Sequence, residues 1–277
     1  MNLTAENYYT QEANKAYFSV SQIKAFLDCE SRAVAELNGD YERPASTALL
    51  VGGFIDAYFS GELEAFKLAN PEIFTKKGEL RADYAKAQEI IDRIEREELA
   101  GAMLSGEKQK IVTGRIGGHD FKAKLDCYLN EEIVRAIGER FDGMGSLLME
   151  HGAIVDLKIM KDFEPMYKAE EGRVSFIEYW GYDLQMAVYQ ELMRQTVGHQ
   201  LPCFILAASK QDPPDITLVQ IPQDVMDYHM ERLRRMLPGI SAVKDGEQAP
   251  YRCGKCAWCR QTKRLEAASI LGTEEYA

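Results

Sequence analysis

The sequence predicts an α/β fold: a central mixed β-sheet flanked by helices, in one domain, followed by a Cys-rich C-terminal segment. Three observations carry this. Apolar residues recur at helical spacing through the first hundred positions and again over about 176–197 and 223–243. Between these blocks, short stretches at 109–129, 153–159, 203–209 and 215–221 alternate or run apolar over strand lengths. No internal repeat, low-complexity tract or Pro/Gly/Ser linker divides the 277 residues, so helices and strands are expected to share one core.

Taken in order, Ser19 or Ser21 can cap a helix whose apolar positions are Ile23, Phe26, Leu27, Val34 and Leu37, and Asn38-Gly39 ends it. A second helix is expected from about Ser46 to Phe59, "STALLVGGFIDAYF". Residues 62–100 are charged and Ala-rich and read as a peripheral helix with a solvated face. "QKIVTGRI" at 109–116 and "HDFKAKLDCYL" at 119–129 alternate about Gly117-Gly118, the signature of a β-hairpin. Residues 131–151 fit neither period, and Gly-Met-Gly at 143–145 marks a loop or turn. "AIVDLKI" at 153–159 is a strand; a long amphipathic helix spans roughly 176–197. The strands "CFILAAS" and "DITLVQI" follow at 203–209 and 215–221, and a last helix covers about 223–243.

Composition narrows the function classes. A chain 46% hydrophobic and 28% charged is an ordinary globular protein. It has no apolar run of membrane-spanning length, and "MNLTAENYYTQEANKAYF" has no secretory pattern, so the cytoplasm is the expected location and no membrane partner is expected. A net charge of −11 argues against a broadly basic surface that coats nucleic acid. It is compatible with an active site that gathers carboxylates around a metal. Any basic DNA-facing surface is then local. "MERLRRML" at 230–237 and "RQTKRLE" at 260–266 are the densest stretches, and each reads first as the solvated face of a helix. Cys127 and Cys203 sit alone in strands as small buried hydrophobes.

The strand at 153–159 poses the central chemical question. Asp156 and Lys158 lie two apart, hence on one strand face, inside an otherwise apolar run. A buried carboxylate needs a partner. A structural ion pair with Lys158 would supply one. A functional site needs further carboxylates, and Asp126 in "KAKLDCYL" provides one from the hairpin. Two strand aspartates and a lysine suit a hard divalent cation with oxygen ligands, Mg2+ or Mn2+.

In this order the residues resemble the PD-(D/E)XK nuclease superfamily. "WGYDLQMAVYQEL" adds Gln185 and Tyr189 at i and i+4 of the following helix, similar to the Q-x-x-x-Y element of the RecB-like branch, with Trp180 and Tyr182 ahead of it as in RecE-type members. "GGFIDAYF" places Asp56 four residues after Gly52, where that branch carries a metal-binding His. The resemblance spans about 18–262, with no motif in 62–105. It departs from the pattern at Asp56, at Ile159 after D-x-K, and in the long interval between Asp126 and Asp156.

The resemblance implies a restriction-endonuclease-like core in a single domain, 1–277, with N-terminal helices at about 19–60 packed with the Cys cluster at about 250–262. It also implies that Asp126, Asp156, the Leu157 carbonyl and Asp56 bind metal and that Lys158 positions the nucleophilic water, with Gln185 and Tyr189 placing the DNA strand or the lysine.

"YRCGKCAWCRQTK" carries Cys253, Cys256 and Cys259, a spacing that favours a metal over disulfides in a reducing compartment. Cys29 is the candidate fourth ligand. Four thiolates suit either structural Zn2+ or a 4Fe-4S cluster. Some RecB-like nucleases hold such a cluster with one Cys before and three after the nuclease motifs, so the resemblance favours 4Fe-4S. It implies a metal-dependent DNA exonuclease on linear duplex ends, of phage or prophage type, in recombination or repair. A single-strand annealing recombinase is the further partner, and an oligomer the form that processive action would use. The alternative is a catalytically silent nuclease-fold module that binds DNA or a recombinase.

Overall fold

The computed structural model describes residues 1–44, 46–148, 150–169 and 171–264. Seven helices come first: α1 (Gln11–Ala16), α2 (Val20–Asp28), α3 (Glu30–Asn38), α4 (Thr47–Ser60), α5 (Leu63–Ala69), α6 (Ala82–Glu95) and α7 (Glu98–Met103). Then follow β1 (Glu107–Ile116), β2 (His119–Leu129), α8 (Glu131–Arg140), α9 (Met144–Leu147) and β3 (Ala153–Met160). A small pair, β4 (Met166–Lys168) and β5 (Gly172–Val174), precedes α10 (Phe176–Trp180) and α11 (Tyr182–Val197). The chain continues through β6 (Cys203–Ser209), β7 (Ile216–Gln220), α12 (Gln223–Lys244) and α13 (Ala257–Gln261). Among the described residues no helix is long and apolar enough to cross a membrane.

The α/β class and the mixed sheet are as expected. Five strands run in the order β1-β2-β3-β6-β7. β3 pairs antiparallel with β2 and parallel with β6, which in turn pairs antiparallel with β7. A parallel pair needs a crossover connection, and α11 lies within it. The turn of the β1–β2 hairpin has Gly117 and Gly118 at φ 56° and 88°. Two consecutive positive φ values make a turn whose twist matches that of the strands.

Several elements differ from expectation. The first long helix is two, because Cys29 is extended (φ −163°, ψ 105°) and serves as both the end of α2 and the start of α3. Leu27, counted among its apolar positions, is exposed. Residues 62–100 form three helices rather than one, with Pro71 starting a short 3-10 turn between α5 and α6. Nor is α6 peripheral: Tyr84, Ala87, Ile90, Ile91 and Ile94 form a buried face at i, i+3, i+6, i+7 and i+10. The helix at 176–197 is interrupted by Gly181, which is left-handed at φ 62°. Residues 131–151 hold α8 and α9, and the β4–β5 pair had no counterpart in the sequence reading. In the second basic stretch, Leu265 and Glu266 lie outside the described residues.

Contacts group the chain into two compact units. The larger comprises Ala45–Gly114 and Lys122–Glu231. Its apolar cluster joins Val51, Phe54 and Ile55 of α4 and the buried face of α6 to Val155 and Leu157 of β3 and Phe204 and Leu206 of β6. Because side chains alternate, Asp156 and Lys158 project from the opposite face of β3, towards α11. The smaller unit comprises Met1–Pro44, Arg115–Phe121 and the chain from Arg232 onward. In it Phe18 packs against Phe121 with ring centroids 5.5 Å apart. Lys244 lies 4.0 Å over the Phe18 ring and donates to the carbonyls of Asn14 and Tyr17.

Candidate active site

The site forms where β2 and β3 part. Their pairing runs Leu129–Ala153, Tyr128–Ile154 and Cys127–Val155. One step further along this register Asp126 would stand opposite Asp156. There Asp126 Oδ2 accepts the Leu157 N–H at 3.0 Å, so a side chain takes over from the ladder. Strands held in this way carry two carboxylates on one rigid platform.

Asp156 is 1% exposed and both of its oxygens are engaged. Oδ1 accepts from Gln185 Nε2 at 2.7 Å, and Oδ2 is ion-paired with Lys158 Nζ. The same Gln185 amide donates to Tyr189 Oη at 3.3 Å, so the i, i+4 pair of α11 acts as one hydrogen-bonded unit. Lys158 Nζ also stands 5.1 Å over the Tyr182 ring, and the Tyr182 hydroxyl donates to Met160 Sδ. Trp180, by contrast, is exposed at the end of α10.

Asp56 reaches the site from α4. It lines a cleft of about 480 Å³ together with Gly52, Asp126, Leu157, Lys158 and Tyr182. Gly52, on the same helical face as Asp56, borders open space, with nothing within 4 Å of where a Cβ would stand. Gln109 Nε2 lies 3.4 Å from both Asp56 oxygens. Gln109 is the non-glycine residue held at positive φ, 52°, among the described residues. Such a conformation costs about 1 kcal/mol or more and concentrates at functional positions.

The electrostatics are those of crowded carboxylates. Burial and the charge of Asp156 push the Asp126 carboxyl well above the ordinary carboxylate range, against the pull of Lys158. Burial raises Asp56 likewise, opposed by Lys124 and Lys158 and reinforced by Asp156. Although burial works to lower it, the Lys158 ammonium is held above its usual value by Asp156 and Asp126. Three carboxylates thus face one closely paired ammonium. Hard oxygen donors in excess negative charge fit a divalent cation, which would relieve the mutual repulsion.

Sequence reasoning passed over Lys122, Lys124 and Gln109. The first two had a signal: in "KAKLD" the two lysines and Asp126 alternate, so all three share one strand face. Lys122 is buried, and burial draws its amine down to about 8. Gln109 had none. The four histidines stay out of the cleft. His151 and His199 stack with ring centroids 3.8 Å apart, His229 pairs with Asp183 at 3.0 Å, and His119 meets Ser241.

In the smaller unit, Cys29, Cys253, Cys256 and Cys259 come together as a group able to hold a metal. Their sulfurs are 3.5 Å (Cys29–Cys259), 3.8 Å (Cys29–Cys256) and 4.0 Å (Cys253–Cys259) apart. None is in a disulfide. Cys127 and Cys203 are fully buried elsewhere.

A family model described as a PDDEXK-like domain of unknown function matches residues 19–136 and 141–262. Among solved structures, the crystal structure of a protein from Eubacterium rectale, provisionally described as an exonuclease, is 42% identical in sequence. It superposes with a TM-score of 0.86, covering 98% of this chain and 97% of that one. No curated protein matches the chain.

Proposed function

We propose that this chain, which belongs to the PDDEXK-like family and so to the PD-(D/E)XK nuclease superfamily, is a Mg2+- or Mn2+-dependent deoxyribonuclease that degrades linear duplex DNA from its ends. The observation that carries the proposal is the buried Asp156, bonded on one oxygen to Gln185 and on the other to Lys158, beside Asp126. A purely structural ion pair would need neither the second carboxylate nor the open cleft.

Asp126, Asp156, the Leu157 carbonyl and Asp56 would hold the cation. When bound, it lowers the pKa of a coordinated water and offsets charge on the scissile phosphate. The residues of the chain do the rest. Lys158, kept protonated by its two aspartates, offers an ammonium to the incoming water and to the phosphate oxygens. Gln185 fixes the orientation of the Asp156 carboxylate, and Tyr189 fixes Gln185. These bonds support a role on the carboxylate over one on the DNA strand or the lysine. Action from ends is supported by the description of the Eubacterium rectale relative. Recombination or repair of phage or prophage type, with an annealing recombinase as partner, rests on the family resemblance.

The test is degradation of labelled linear and circular duplexes with Mg2+ or Mn2+. Linear DNA should be consumed and circular DNA spared, with an activity loss of roughly 1000-fold or more in Asp156→Ala. Wild-type protein that binds DNA with these cations present and cuts none of it would replace the nuclease reading with a silent binding module.

A further inference from the structure

We infer that the four cysteines hold a single tetrahedral zinc ion and not an iron–sulfur cluster. The argument is one of size. Zn–S bonds of about 2.3 Å put four thiolates at the corners of a tetrahedron with edges near 3.8 Å. In a 4Fe-4S cubane each thiolate stands one bond beyond its own iron, which sets the four sulfurs roughly 6 Å or more apart. Here the separations are 3.5, 3.8 and 4.0 Å, and all four sulfurs lie within 4.8 Å of one another. They are also far from the bonded separation of a disulfide, about 2.05 Å. The set has the dimensions of one ion.

This spacing is imposed from the backbone outward. Cys29 occupies the break between α2 and α3, an extended residue that turns its thiol out of the helical path. The tail is tied to the start of α3 on both strands of contact: Ser31 N–H donates to the Tyr251 carbonyl at 3.0 Å, and Tyr251 N–H donates to Glu30 at 2.7 Å. The Trp258 indole N–H donates to Ser31 Oγ at 3.1 Å. Within the tail, Cys256 N–H points at Cys253 Sγ and Cys259 N–H at Cys256 Sγ, both at 3.4 Å. Such N–H···S bonds orient thiolates for a metal and soften their charge. Charge does not discriminate, because four thiolates around Zn2+ or around an oxidised cubane carry the same formal total; size does.

The consequence is a site without redox chemistry, whose work is to close the N-terminal helices onto the tail within the smaller unit. The test uses the full chain purified without oxygen, with metal and acid-labile sulfide analysis beside an absorption spectrum. One zinc per chain, no iron and no band near ~400 nm is the expected result. Iron at any stoichiometry, with or without sulfide, would overturn it. Protein isolated free of metal is titrated with Co2+ under reducing conditions. One equivalent bound, with the intense visible bands of a tetrahedral cobalt thiolate that Cys256→Ser loses, supports the inference; failure of the wild type to take up cobalt refutes it.

Discussion

The two proposed metal sites of this chain are built on opposite principles. The aspartate cleft collects hard oxygen donors that repel one another, on strands that part to make room. The cysteine group collects soft donors within 4.8 Å of one another, and backbone N–H groups meet the sulfurs of Cys253 and Cys256. One arrangement costs stability that a bound cation would restore, and it opens on a cleft. The other, filled by the inferred zinc, would leave no open position and would contribute stability through that metal. Ligand chemistry, exposure and carboxylate repulsion therefore separate the proposed catalytic site from the inferred structural one within a single chain.

The comparison breaks most visibly if the sites exchange roles. Cys256→Ser should empty the thiolate site and lower the melting temperature by about 5 °C or more, as expected for loss of a structural metal. Asp156→Ala should retain one zinc per chain while losing turnover. Zinc analysis and thermal melts of both variants decide the matter. An Asp156→Ala protein without zinc, or a Cys256→Ser protein with an unchanged melting temperature, would end the division.

Asp126 sharpens it. The folded state raises this carboxyl above its unfolded value. Its contribution to stability is therefore present in acid and is lost as pH rises through the folded pKa. Above the ordinary carboxylate range the buried carboxyl works against folding in cation-free protein. Asp126→Asn keeps an oxygen to accept the Leu157 N–H and removes the charge. In chelator it should be about 1 kcal/mol more stable than wild type, a rise of roughly 2–4 °C. The gain should vanish in acid. Mg2+ should stabilise the wild type more than the variant, and the variant should be inactive. A variant less stable than wild type at neutral pH would mean that Asp126 has a partner its charge requires.

The platform of the cleft was legible in the sequence because it obeys local periodicity. A strand of period two reveals Asp156 and Lys158 on one face, and a helix of period 3.6 reveals Gln185 and Tyr189 on another. What escaped is what tertiary contacts impose. The break at Cys29 sits where its sulfur meets cysteines more than two hundred residues away in sequence. The core role of α6 was hidden because its apolar positions are diluted by the charges of "YAKAQEIIDRIE". The positive φ of Gln109 within β1 has no composition cue at all, and the Gln109 amide lies beside Asp56.

The smallest effect falls on Gln185, and it separates two accounts of the same motif. If Gln185 orients Asp156, Gln185→Ala leaves the carboxylate in place but free to rotate, and kcat should fall by about 10-fold, the lower end for a residue that supports a metal ligand. KM for DNA should be nearly unchanged, and excess Mg2+ should recover part of the loss, because a loosened carboxylate binds the cation more weakly. If Gln185 instead grips the DNA strand, KM should rise and Mg2+ should not rescue. Tyr189→Phe removes the hydroxyl that accepts from Gln185 at 3.3 Å while retaining the ring, and on the first account it should reproduce the Mg2+-dependent defect in weaker form. A rise in KM without any change in Mg2+ dependence in either variant would return the pair to substrate binding and leave Lys158 as the sole side-chain partner fixing Asp156.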